Sequence, residues 1–232
     1  MPKKPWKIIS VGGSIIIPKT GFNVPFLVAF RELILSEVRQ GGRFMLIIGG
    51  GATARAYQQA AMSVLPGLSN EKLDRVGIHA TVLNARFVQS LFGDSADSKI
   101  ITNPTRKLKT IKPIIVGAGW KPGCSTDNDA VLLARTYGVK HILNLSNISY
   151  LYDKDPAKHP DARKIEDIDW TTFRRDIVGR EWQAGTNVPF DPVASAAAER
   201  SKITVAILSG TDLSAVGAAI KDWPFAGTVI HP

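Results

Sequence analysis

One cysteine, Cys124, stands in a chain of 232 residues. A single thiol excludes an internal disulfide and any cysteine zinc cluster, and a reducing cytoplasm is the compartment expected of such a chain. Histidine is nearly as sparse: His79, His141, His159 and His231 are isolated from one another, so no His-rich segment suggests a metal or oxyanion store, and no metal-ligating residue is assigned. No apolar run approaches the roughly 20 residues a membrane helix needs, so no membrane partner is expected. The opening "MPKKPWKIIS" lacks the long apolar segment and small-residue cleavage site of a secretory signal. Low-complexity linkers and internal repeats are absent as well, and one domain over residues 1–232 is expected. Two familiar nucleotide signatures are missing. There is no G-x-x-x-x-G-K-[ST], and no G-x-G-x-x-G follows a strand-like run.

What is present is an ordinary globular composition, 44% hydrophobic, with a net charge of +9. The basic residues are scattered. Their densest patch, "TRKLKTIK" at 105–112, has no interleaved aromatics, so nucleic acid is not expected as a partner. A basic protein suits small phosphorylated anions equally well.

Apolar runs alternate with helical periodicity along the chain. "WKIISV" (6–11), "FMLII" (44–48), "KPIIVG" (112–117), "HILNLS" (141–146) and "ITVAILSG" (203–210) read as buried strands. Helices are expected over 25–40, from Ala52 to Leu65, over 71–93 with Gly77 as a weak point, from Thr126 to Tyr137 and over 191–201, with a short one before the terminal "GTVIHP". Continuous apolar strands separated by helices predict an α/β fold, a mostly parallel central sheet covered by helices on both faces.

Three strands end in glycine: Gly12-Gly13-Ser14, Gly49-Gly50-Gly51 and Gly117-Ala118-Gly119. Ligands of open α/β sheets collect beyond the carboxyl ends of the strands. Glycine lets backbone N–H groups approach an anion closely, and a following helix adds its positive dipole end. One such turn is most simply structural. Three at equivalent places point to phosphates. The last of them opens "GAGWKPGCSTD" (117–127), a loop rich in Gly, Pro and hydroxyls with one carboxylate.

Six stretches in order carry a resemblance: "VGGSIIIPK" (11–19), "IIGGGATAR" (47–55), "LDRVGIHATVLNA" (73–85), "GWKPGCSTDNDAVLLA" (119–134), "NLSNISYLYDKDP" (144–156) and "GTNVPFDPVASAAAERS" (185–201). Together they resemble the amino acid kinase superfamily, and within it the archaeal-type uridylate (UMP) kinases, over essentially the whole chain. The resemblance implies the amino acid kinase fold, a three-layer αβα sandwich, with an N-terminal half serving the acceptor nucleotide and a C-terminal half serving ATP. It implies transfer of the γ-phosphoryl group of ATP to UMP, giving UDP and ADP in pyrimidine nucleotide synthesis, with Mg²⁺, in a hexamer built from dimers. Gly12, Gly13 and Ser14 would wrap the transferring phosphates. Gly50 would face UMP, while Gly51 and Arg55 would sit towards ATP, the guanidinium offering phosphate oxygens its planar fork. Asp74 matches the residue that takes the UMP ribose. The loop of Trp120, Lys121, Pro122, Gly123, Cys124, Ser125 and Thr126 matches the segment gripping UMP, its hydroxyls and free N–H groups reaching the acceptor phosphate. Ser146, Tyr152 and Asp155 match ATP contacts. Asp127 is awkward beside phosphates: it either orients an N–H or cationic group, or serves as a first-turn partner of the helix dipole.

The chain departs from the family pattern twice. Many members begin K-x-G-G-S, their lysine steadying the phosphoryl group in flight; here that position is Ser10. Phosphoryl transfer rests on positioning and electrostatic stabilisation, so another cation must serve. Lys19 is the first choice, then Lys121 or Lys154. The second departure is Ser149-Tyr150 where the family commonly has Asp-Gly. Among related enzymes, isopentenyl phosphate kinases carry a histidine after the glycine triplet, where this chain has Ala54-Arg55. Acetylglutamate-type kinases place a lysine where it has Asp191. The alternatives to a UMP kinase are another small-molecule kinase of the superfamily and a nucleotide- or oxyanion-binding protein without turnover.

Overall fold

The computed structural model describes residues 4–179 and 188–232; Gly185, Thr186 and Asn187, which open the last of the six stretches, lie outside the described residues. Among the described residues the strands are β1 (Trp6–Val11), β2 (Arg43–Ile48), β3 (Ala96–Ile101), β4 (Ile114–Gly117), β5 (His141–Ser146), β6 (Leu151–Tyr152), β7 (Lys164–Ile165), β8 (Asp167–Asp169), β9 (Thr204–Ser209) and β10 (Thr228–His231). The helices are α1 (Gly13–Ile16), α2 (Val24–Arg39), α3 (Gly51–Val64), α4 (Asn70–Leu91), α5 (Thr126–Tyr137), α6 (Trp170–Phe173), α7 (Pro192–Ser201) and α8 (Leu213–Ile220).

Eight strands form one sheet in the order β3-β4-β2-β1-β5-β9-β10-β8, and β6 and β7 make a small separate ribbon. All neighbours in the large sheet run parallel except β9 and β10. Side chains of a strand alternate between faces, and the core divides accordingly. Leu46 and Ile48 of β2 join Val11, Val116 and Leu145 in a cluster with α2, α4 and α8. Met45 and Ile47 turn the other way, to Ile8, Ile115 and Ile142 and the buried faces of α5, α6 and α7. The expected αβα sandwich is what the chain forms.

Helix ends follow their side chains. Asn23, Ser69, Ser125 and Asp191 each accept a hydrogen bond from a backbone N–H in the first turn of the helix they precede, as N-caps do. Two sequence expectations need correction. Helix α4 runs unbroken through Gly77. A Cβ there would lie 2.8 Å from Nε2 of Gln58, which itself donates to the carbonyl of Leu73, so this glycine admits a side chain of α3 rather than weakening α4. The edge strand β3 carries no apolar run and was not foreseen from the sequence; its central residues are exposed and it pairs with β4 alone.

At the carboxyl ends of β1 and β2 the chain passes itself with no side chain between. A Cβ on Gly13 would meet the backbone nitrogen of Gly51 at 2.1 Å and the carbonyl carbon of Gly49 at 2.6 Å. Both neighbours are backbone, so no rotamer change relieves the clash. Gly138, in a left-handed conformation after α5 with nothing within 4 Å of its would-be Cβ, carries only the conformational cost. Gly13→Ala is therefore expected to lower the melting temperature by at least about 5 °C, with an overpacking cost of about 1–3 kcal/mol or more. Gly138→Ala should cost only about 1–2 kcal/mol. Differential scanning calorimetry of the two variants checks the order.

Candidate active site

The glycine contact fixes a floor. Gly12 donates its N–H to the carbonyl of Leu145 at 2.9 Å, so the first turn is tied to β5 as well as to the second. From behind, the buried amide of Asn84 on α4 donates to the carbonyls of Gly49 (3.0 Å) and Gly50 (2.9 Å). With its carbonyls turned back, the triplet starts α3, whose N-terminal end faces a cavity of about 740 Å³.

One wall of that cavity is cationic and hydroxylic. Lys19 and Ser14 line it together with Gly51 and Arg55, and Nη2 of Arg55 donates to Oγ of Ser14 at 3.4 Å. Gly50, the residue before α3, and Asp74 of α4 line it as well. The opposite wall is the loop leading to α5, with Trp120, Lys121, Cys124, Ser125 and Thr126 on the cavity. Pro122 and Gly123 instead border an adjoining cavity of about 500 Å³, which Asp74 and Lys121 share. Lys121 lies over the indole of Trp120, its Nζ 4.2 Å from the ring centre.

Several expected residues stand elsewhere. Gly12 and Gly13 form the floor and do not line the cavity, and the N–H of Gly12 is already engaged. Lys154 pairs with Asp161 in its own loop and does not line this cavity. Asp155 caps the N–H of Ala157 and pairs with Lys158, Tyr152 sits in the small ribbon, and Ser146 ends β5 with Oγ 3.4 Å from Oδ1 of Asn147. Of that segment, Asn147 reaches the cavity.

The loop's N–H groups were expected to be free; three are held by carboxylates. Gly123 donates to Asp74 at 2.9 Å, Trp120 to Asp129 at 3.1 Å, and Ser125 to Asp191 at 3.3 Å, with the Ser125 hydroxyl on the same Asp191 oxygen. Gly119 donates to Oγ1 of Thr81 at 2.8 Å. Sequence reasoning missed Asp129, Thr81 and Asn84. A signal for the last two existed: both fall on the buried stripe of α4 with Leu73, Gly77, Ala80, Ala85 and Val88, where a polar side chain needs a partner.

Asp127 combines the two expected arrangements, a first-turn position and an N–H partner, and adds a hydroxyl. It sits in the first turn of α5, and its Oδ1 accepts from the hydroxyl of Ser10 (2.9 Å) and from the amide of Asn144 (3.2 Å). The residue standing where a lysine was expected is thus its direct partner. Burial, then repulsion from Asp191, pushes the Asp127 carboxyl up to about 7. Asp129 is also pushed up to about 7, chiefly by burial, and its Oδ1 is buried without a hydrogen-bond partner among the described residues. Burial raises Asp191 too, and lifts the thiol of Cys124 to about 12, which leaves it a poor nucleophile at neutral pH.

These shifts carry a stability consequence. An aspartate that keeps its proton to about pH 7 in the folded chain, but releases it near pH 4 when unfolded, makes folding costlier as pH rises across that interval. Asp129→Asn, which keeps an oxygen for the Trp120 N–H and cannot ionise, should melt several degrees above the unmodified chain at about pH 8. The difference should vanish near about pH 4. Thermal melts across that range measure it.

Comparisons with known proteins agree with this geometry. Residues 5–209 match the model of the "Amino acid kinase family". The uridylate kinase of Methanothermobacter thermautotrophicus is 34% identical over 207 residues, 88% of this chain and 90% of that protein. That of Methanoculleus marisnigri is 30% identical over 226 residues, covering 96% and 94%. The crystal structure of uridylate kinase from Archaeoglobus fulgidus superposes with a TM-score of 0.79 at 29% identity, over 97% of this chain and 99% of that one. The UMP kinase of Bacillus anthracis shares the fold at 17% identity, with a TM-score of 0.75. With the same fold and relatives matched nearly end to end, the chain belongs to the amino acid kinase family, in its archaeal-type uridylate kinase branch.

Proposed function

We propose that this protein is an ATP-dependent UMP kinase, transferring the γ-phosphoryl group of ATP to the phosphate of UMP. One observation carries the reading: Arg55, Ser14 and Lys19 face the Asp74-anchored loop of Trp120–Thr126 across a single cavity at the carboxyl ends of β1, β2 and β4. In the sheet order, β4 stands two strands from β1, so the two walls are rooted about 10 Å apart. The cavity volume lies within the usual range for small-ligand sites. The relatives named uridylate kinase support the same acceptor.

In this reading Asp74 and the loop hold UMP, with Thr126 at the start of α5 turned to its phosphate and Ser125, both of whose hydrogens Asp191 takes, steadying the loop beside it. Gly51, Arg55 and the C-terminal segment of Ser146, Asn147, Tyr152 and Asp155 serve ATP, so that the two halves of the chain divide the substrates. Mg²⁺ arrives on the ATP phosphates, whose charge it screens. The chain's own part is electrostatic. With Ser10 uncharged, Arg55 and Lys19 supply the fixed positive charge for the phosphoryl group in flight, and the N-terminal end of α3 adds its dipole. Of the three lysines considered from the sequence, Lys19 remains the first choice, lining the cavity beside Ser14 and Arg55; Lys121 lines it too, and Lys154 is engaged with Asp161. A cytoplasmic, hexameric enzyme of pyrimidine nucleotide synthesis is part of the proposal. Exposed apolar residues on neighbouring elements, Val28 of α2, Tyr57 of α3 and Leu83 of α4, support association with further copies.

A coupled assay for UDP and ADP with UMP and MgATP tests the reading. Turnover is expected, with Arg55→Ala lowering kcat/KM by about a hundredfold or more. Lys19→Ala should lower kcat well beyond a factor of about two; a smaller effect would assign the charge to another group. Absence of turnover with UMP, CMP, dUMP and isopentenyl phosphate, with ATP still bound, would reverse the assignment to a non-catalytic protein.

A further inference from the structure

The wall facing the cations is backed by an uncompensated cluster of acids. Asp127 and Asp129 at the start of α5 and Asp191 at the start of α7 lie close enough to repel one another. Asp129 and Asp191 are 3% and 1% exposed, and none of the three forms an ion pair among the described residues. What faces them is neutral: the Ser10 hydroxyl of β1 and the Asn144 amide of β5 on Asp127, the Trp120 N–H on Asp129, and Ser125 with the N–H groups of Val193 and Ala194 on Asp191. The charged and titratable groups nearby are Lys121, which is exposed, Asp74 and the Cys124 thiol; Lys19 and Arg55 belong to the opposite wall.

Each acid holds part of the same loop. Asp129 takes its first N–H, Asp191 takes both hydrogens of Ser125, and Asp127 fastens the helix that follows to β1 and β5. A buried carboxylate without a cation is costly enough that it takes up a proton instead. The buried, partnerless Oδ1 of Asp129 is suited to carry one. A phosphate dianion gripped by this loop adds repulsion to the same cluster and increases its demand for protons.

We propose that Asp127, Asp129 and Asp191 form a proton-coupled clamp: when the loop of residues 120–126 closes on a phosphate dianion, the cluster takes up a proton from solvent. The inference rests on the acceptor reading above, in that the dianion is the phosphate of UMP. The three are positioning residues, acting through the loop. The balance is simple, because the proton leaves the buffer and bonds a carboxylate oxygen while the ligand enters unchanged as a dianion. Uptake makes affinity fall as pH rises. The window lies above the pH of about 7 to which Asp127 and Asp129 are pushed. It also lies above the second ionisation of a phosphate monoester near about 6, so the ligand does not titrate within it.

Isothermal titration of UMP into the full chain at about pH 8, in two buffers of different ionisation enthalpy, counts the protons directly. For the unmodified protein a substantial fraction of one proton should be taken up, and Kd should weaken several-fold from about pH 7 to about pH 9, at most about tenfold per pH unit for each proton. Asp129→Asn leaves an oxygen for the Trp120 N–H. It should take up fewer protons and bind UMP more tightly than the unmodified protein at about pH 9. A merely structural role predicts the reverse, weaker binding at every pH with the proton count unchanged. UMP binding with no uptake and a flat Kd overturns the proposal, and if Asp129→Asn fails to fold, the two-buffer count on the unmodified protein decides alone. Should UMP fail to bind while CMP or isopentenyl phosphate binds, the acceptor assignment falls, and the same count on the bound acceptor decides the coupling. Binding of no acceptor to folded protein removes both.

Discussion

The close passage of Gly13 against Gly49 and Gly51 is the constraint on which the rest of the site depends. Two parallel strands side by side in the sheet must turn out of it at the same end, and their turns occupy the same space unless neither carries a side chain. Removing both Cβ atoms lets the first turn lie on the second. Lying there, it starts α1, brings Ser14 to the guanidinium of Arg55, and leads the chain out through Pro18 and Lys19 over the cavity. Asn84 completes the arrangement by taking the triplet's carbonyls, so that the carbonyl dipoles point towards α4 and the helix start points towards the ligand space. The glycines therefore act mainly by bringing chain to chain, and the cationic side chains line the cavity from the platform so formed.

The facing wall is organised on the opposite electrostatic principle. Its loop has few regular contacts of its own and is suspended from side chains of three other elements: Asp74 and Thr81 of α4, Asp129 of α5 and the α7 cap Asp191. Carboxylates are strong acceptors for backbone N–H groups, and charge-assisted bonds of this kind hold better than neutral ones. On the proposed reading they also bring negative charge to the place where the acceptor phosphate binds. Burial against neutral partners lets a proton reduce that conflict without surrendering the hydrogen bonds, because a protonated carboxyl still has a carbonyl oxygen to accept with.

The elements that build the site were legible because their physics is local. Apolar runs marked β1, β2, β4, β5 and β9, and helical periodicity marked α5 from Thr126 to Tyr137. The glycine triplets stood out against the apolar strands that precede them. Edge strands were harder: β3 has two exposed residues at its centre and β8 only three residues, so neither gives a periodic signal. Roles that depend on distant partners were harder still. The bond from Gly119 to Thr81 spans 38 positions and that from Ser125 to Asp191 spans 66, and nothing in the local pattern of the loop distinguishes an N–H already held from one that is free. The same limit applies to Ser10, which reads as an absence in sequence and is a hydrogen-bond donor in the fold.

Ser10 links the two walls. A lysine at the end of β1 would place a positive charge against Asp127 and at the centre of the site, serving the acid cluster and the phosphoryl group together. A serine there satisfies only the hydrogen-bonding capacity of Asp127, and leaves its charge to be reduced by a proton. On the proposed reading the two duties of one cation are then divided: protons neutralise the acid cluster, and Arg55 with Lys19, on the far side of the cavity, faces the phosphates. The loop wall, with Asp127 and Asp129 pushed up to about 7, then titrates near neutrality. Under the proposed coupling, changes in pH act on acceptor grip through these acids, so binding and turnover need not share one pH profile.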